Sequence, residues 1–146
     1  MTVAGAARRG APDSGTSVAG ASPVTAPVRI ARSPLRADDG SLSAATLCRA
    51  DPDEAFFAGH YPGFPIFPGV CVIECVRRSA LLLLPPVRLA AVESARFRGP
   101  VLPGDELTVE LVLTPDGGEW RAASTVRTVR GTAATVRLRF AAGGLR

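Results

Sequence analysis

Two side chains stand out for proton transfer. His60 is the only histidine in the chain, and with an unperturbed pKa of about 6.5 it can take or give a proton near neutral pH. It lies within residues 56–69, FFAGHYPGFPIFPG, where closely spaced prolines fix φ, exclude regular helix and central strand, and predict a stiff loop. Glu74 is the second, a carboxylate interrupting the apolar run VCVIECV. Burying it there is costly unless it is paired or neutralised. Active sites bear such costs, because desolvation lifts a carboxyl toward its working range. Both residues also have plainer readings. A loop histidine can simply hydrogen-bond a carbonyl, and Arg77 and Arg78, three and four residues after Glu74, offer it a helix-surface ion pair. Between His60 and Glu74, Pro68 and Gly69 open the same apolar run, so the first N–H groups, at Gly69 and Val70, lack intrahelical acceptors at the positive end of the helix dipole. Such donors can hold a carbonyl oxygen that gains negative charge, although every helix start offers the same.

The composition removes other chemistries. All 17 basic residues are arginine, and lysine, asparagine and glutamine are absent. That excludes a Schiff-base lysine, a Walker lysine and an amide oxyanion donor. The net charge of +4 points to an acidic partner. Scattered arginines with few aromatics between them argue against nucleic acid. Cys48, Cys71 and Cys75 form neither a disulfide framework nor a metal-ligand spacing, and are expected to be small buried hydrophobes. No apolar run is long enough to cross a membrane and the N-terminus lacks a signal peptide's apolar stretch, so a cytoplasmic protein is expected.

The elements that must position these groups follow from pattern. Residues 1–27, rich in Ala, Gly, Ser and Pro, read as a disordered tail, leaving residues 28–146 as one domain. A β-hairpin turns at residues 37–40 and returns over 42–48. Residues 70–84 contain no Gly or Pro and stop at Pro85-Pro86, which predicts a four-turn helix, apolar nearly all round and therefore buried on most sides. Alternating stretches at 89–97, 106–114, 120–130 and 133–140 supply four more strands. The layout is α+β, one central helix against an antiparallel sheet.

Taken together, residues 56–74, FFAGHYPGFPIFPGVCVIE, and residues 95–107, ARFRGPVLPGDEL, resemble the 3-hydroxyacyl-[acyl-carrier-protein] dehydratases of the FabZ type, which carry GHFPGxPxxPGVxxxE and, downstream, KFRxPVxPGDxL. The resemblance implies the hotdog fold, a long helix wrapped by an antiparallel sheet, and a dimer with itself or with a second hotdog subunit. It implies that His60 removes the α-proton of a 3-hydroxyacyl thioester and that Glu74 of the partner assists loss of the β-hydroxyl. The Gly69 or Val70 N–H would polarise the thioester carbonyl. No metal or redox cofactor is implied; the substrate rides on the phosphopantetheine arm of an acyl carrier protein, for which Arg77, Arg78, Arg96 and Arg98 are candidate contacts. Arg78 stands where the family usually has glutamine, and a cation there would favour ionised Glu74 unless it turns away. The family's N-terminal LPHRxPFLLVD segment is missing, which leaves substrate range and dimer packing open. A hotdog thioesterase and a non-catalytic subunit of a heterodimer are the alternative readings.

Overall fold

A computed structural model describes residues 24–51 and 67–143. Six strands and one helix follow one another as β1 (Val28–Arg36), β2 (Leu42–Arg49), α1 (Gly69–Leu83), β3 (Val87–Phe97), β4 (Glu106–Asp116), β5 (Glu119–Thr128) and β6 (Gly131–Ala142). The strands form one antiparallel sheet in the order β1-β2-β4-β5-β6-β3. The expected α+β class and hotdog layout hold, with α1 packed against one face of the sheet.

Alternation sets which residues enter the core. Leu107, Val109, Leu111 and Leu113 of β4 are buried, as are Ala134, Val136, Leu138 and Phe140 of β6, because successive side chains of a strand point to opposite faces. Both edge strands carry two register irregularities each, at Ile30/Arg32 and Arg32/Leu35 in β1 and at Leu89/Ala91 and Val92/Ser94 in β3. Such bulges twist an edge away from further pairing.

The helix meets the sheet along Cys71, Val72, Cys75, Val76, Ser79 and Ala80. On its other side Val70 is 66% exposed and Leu82 51%, while the remaining helix residues are buried or half-buried, so the expected burial on most sides fails at those two positions alone among the described residues. The helix stops where expected, the Leu84 N–H bonding the Ala80 carbonyl at 3.0 Å just before the two prolines.

The packed domain begins earlier than residue 28. Val24 and Ala26 are buried because Arg78 of α1 reaches across and donates to their carbonyls, at 3.0 and 2.7 Å. Residues 1–23 of the tail expected over 1–27 lie outside the described residues.

Candidate active site

The start of α1 is built by the two motifs together. Pro68 has no side-chain donor or acceptor to cap the helix, and no acidic residue stands in the first turn. The Pro68 carbonyl takes the N–H groups of Cys71 and Val72, at 2.9 and 3.2 Å. The Gly69 and Val70 N–H groups meet no acceptor among the described residues, so the two donors expected at this end are open. A Cβ at Gly69 would lie 2.9 Å from the tip of the Phe97 ring. Glycine thus lets the ring of the second motif lie against the opening residue of the helix, and a larger residue would push that half-exposed ring aside.

The later part of the second motif, from Val101 onward, is scaffolding. Phe67, buried just ahead of the helix, donates its N–H to the Val101 carbonyl at 2.7 Å. Gly104 turns the chain at φ +88° and donates to the Ala50 carbonyl at 2.7 Å, while Ala50 donates to Asp105 at 2.8 Å. The Asp105 carboxylate accepts from the Leu102 N–H at 2.8 Å and from the Arg130 guanidinium. Burial opposes its charge, but Arg130 and the Leu102 N–H outweigh this and hold the carboxyl below the usual range.

Glu74 lies one turn beyond Val70 on the same side of α1, the side that the sheet leaves uncovered. Its side chain is nonetheless only 12% exposed. Arg77 grips it with two parallel bonds, Nε to Oε1 at 2.8 Å and Nη2 to Oε2 at 2.7 Å. This fork geometry is the strong form of a charged hydrogen bond, and it pushes the Arg77 guanidinium's pKa further up. The structure also answers what Arg78 does in the family's glutamine position. It turns to the carbonyls of Val24 and Ala26, while the neighbouring Arg77 supplies the cation beside Glu74.

Below these groups, on the core side of α1, the Cys48 and Cys75 sulfurs stand 3.4 Å apart and the Thr46 and Ser79 hydroxyls 2.7 Å apart, all buried. The contact with Cys48, together with burial, pushes the Cys75 thiol well up, so it stays a neutral thiol and packs as a small hydrophobe. All three cysteines are free and buried, as expected. No cluster of three or more His, Cys, Asp or Glu able to hold a metal exists among the described residues.

His60 lies outside the described residues, as do residues 56–66 of the stiff loop expected over 56–69. Of the arginines expected to meet a carrier, Arg77 is committed to Glu74 and Arg78 to the Val24 and Ala26 carbonyls. Arg96 and Arg98, at the end of β3, instead line an open trough on the opposite face of the sheet. Two of its further residues, Arg32 and Arg137, were missed by sequence reasoning, because only strand order brings β1 and β6 onto one surface with β3.

An antiparallel sheet of six strands packed on one helix is the hotdog layout. The chain belongs to the ApeI-like dehydratase family, whose model, described as ApeI dehydratase, matches residues 36–134. Curated relatives include the 3-hydroxyacyl-[acyl-carrier-protein] dehydratases FabZ of Myxococcus xanthus, 40% identical over 80 residues covering 47% of this chain and 52% of that protein. Proteus mirabilis FabZ is 44% identical over 69 residues, 40% of this chain and 46% of that one. The chain spans about half the length of these relatives. Among solved structures, an uncharacterized protein from Erwinia carotovora superposes with a TM-score of 0.63 at 21% identity, over 77% of this chain and 94% of its own. The dehydratase heterocomplex ApeI:P from Xenorhabdus doucetiae gives 0.54 at 25% identity, over 68% and 87%. No helix among the described residues is long and apolar enough to cross a membrane.

Proposed function

We propose that the protein dehydrates a 3-hydroxyacyl thioester, carried on an acyl carrier protein, to the 2-enoyl thioester, in fatty-acid or polyketide biosynthesis in the cytoplasm. The observation that carries this reading is the placing of Glu74 on one face of α1 with the open N–H of Val70, in a chain of a dehydratase family. His60 takes the α-proton, the C–H electrons form the C=C bond as the β C–O bond breaks, and the hydroxyl, oriented by Glu74, leaves as water with the proton that His60 returns. The Gly69 and Val70 N–H groups hold the thioester oxygen as it gains charge, which acidifies the α-proton. Arg77 fixes the orientation of the Glu74 carboxyl with two parallel bonds. This proton chemistry needs neither metal nor redox cofactor.

The uncovered side of α1 suits a second hotdog subunit, which would enclose Glu74 and bring His60 of one protomer to Glu74 of the other. A heterodimer is favoured as a second reading by the ApeI:P heterocomplex. The test is mass spectrometry of 3-hydroxybutyryl and 3-hydroxyoctanoyl carrier protein incubated with wild type, His60→Ala and Glu74→Gln. Loss of about 18 Da with wild type, abolished in both variants, is expected. Release of the free acid would establish a thioesterase instead, and an unchanged mass with the homodimer but turnover with an added hotdog subunit would establish the heterodimer.

A further inference from the structure

The sheet's outer face, opposite α1, holds a trough of about 530 Å³. Sheet faces are ordinarily level; this one is hollow because small side chains, among them Ser94, Ala123, Thr125 and Thr135, form its floor while long arginines stand at its rim. Arg96 is paired in register with Thr135 and Arg137 with Ser94, so these two arginines are diagonal neighbours on adjacent strands, about 7 to 8 Å apart. Arg98 follows one residue past the end of β3.

These three cations differ from others on the outer surface. Arg121 is paired with Asp116 and Glu93, and Arg139 with Glu93 and Glu119. Arg32, at the far end of the trough, meets Glu110 at 3.7 Å. Arg96, Arg98 and Arg137 meet no carboxylate among the described residues. A local charge of three at a concave, hydroxyl-lined site calls for a ligand with more than one negative charge, and planar guanidinium forks match phosphoryl oxygens.

We infer that this trough is a phosphoryl-binding site, in which Arg96, Arg98 and Arg137 hold the phosphate of a ligand whose remaining polar part lies on the Ser and Thr floor. The phosphoryl site goes beyond the dehydratase reading; the choice of pantetheine-borne phosphates as its ligands rests on that reading. Two sources carry this chemistry on a pantetheine arm, free coenzyme A and the phosphodiester of a charged carrier protein.

Calorimetric titration of the full chain with coenzyme A, pantetheine, and carrier protein with and without its phosphopantetheine separates them. Coenzyme A is expected to bind at least about tenfold more tightly than pantetheine, which lacks the phosphate, and to weaken as salt is raised. The double variant R96Q/R137Q, at two exposed positions, should lose that difference while melting as wild type does; Arg36→Gln, outside the trough, should keep it. Binding of coenzyme A supports the site with a free phosphorylated ligand. Binding of the phosphopantetheinylated carrier alone, over its unmodified form, supports it with the carried one. No preference for either phosphorylated probe over its counterpart without the phosphate, or a preference left unchanged by R96Q/R137Q, would overturn it. Because no turnover is read, these outcomes are separate from success or failure of the dehydratase assay.

Discussion

On the helix side of the sheet, Leu107, Leu111, Val136 and Phe140 meet α1 in a core whose buried polar side chains are Thr46, Ser79 and Ser124. Thr46 and Ser79 satisfy each other, and Ser124 donates to the Val136 carbonyl at 2.9 Å. One residue further along each strand, on the outer side, Glu93 bridges Arg121 and Arg139 at 3.5 and 3.4 Å, and Arg121 reaches Asp116 at 2.8 Å. The same strands thus carry a dry surface held by contact area and a wet one organised by charge. Area-driven burial is indifferent to moderate salt, whereas exposed pairs are screened over about 8 Å at physiological ionic strength. A carboxyl such as Glu74, held on α1 between the two regimes, can be aimed by a charge partner and still be kept mostly from water.

Substitutions on each side should divide accordingly. The largest effect is expected at Glu74→Gln, which keeps shape and removes the ionisable group: dehydration should fall by roughly 10²- to 10⁴-fold, read by loss of water from the acyl carrier substrate. A rate within a few-fold of wild type would remove Glu74 from the chemistry. Phe140→Ala opens the core and should cost about 3 to 5 kcal/mol, measured by urea unfolding and unchanged by salt. Arg78→Met deletes the two bonds to the Val24 and Ala26 carbonyls and should cost about 2 kcal/mol. Faster amide exchange at the start of β1 should accompany it; unaltered exchange there would show that the N-terminal stretch is held by other contacts.

On the charged side the effects are smaller and conditional. Glu93→Gln should lower the melting temperature slightly at low salt and not at all near 1 M salt. Asp105 gives a pH signature. Its carboxyl is held below the usual range in the folded protein, so its contribution is present above the unfolded value of about 3.9 and is lost as pH falls through the lower folded value. Asp105→Asn should therefore melt below wild type at neutral pH, with the gap closing under acid conditions. A gap that persists at the lowest pH would assign the loss to the Leu102 turn alone.

Much of this was legible in the residues. Alternation at Leu107, Val109, Leu111 and Leu113 placed β4 and its buried face, and the Pro-free run ending at Pro85-Pro86 placed α1. The matched motifs marked Gly69 as special, and Phe97 supplies the reason. What stayed hidden depends on long-range placement. Spacing put both Arg77 and Arg78 within reach of Glu74, but only rotamers decide which one pairs with it. Nothing local marks Val24 and Ala26 as buried in an Ala- and Pro-rich stretch. The trough needs β1, β3 and β6 on one surface, a consequence of strand order that no window of sequence contains.

That strand order also sets a timetable for synthesis. Among the described residues β3 pairs with β6 alone, from Val87 against Ala142 to Phe97 against Ala134, and β6 leaves the ribosome after the other five described strands. The hairpin of β1 and β2 and the ribbon of β4 and β5 can form as they emerge, but β3, already made, has to wait with its apolar residues and backbone edge exposed. Sheet closure from the far edge is thus the late, non-local step, of the kind that slows folding and invites association between nascent chains.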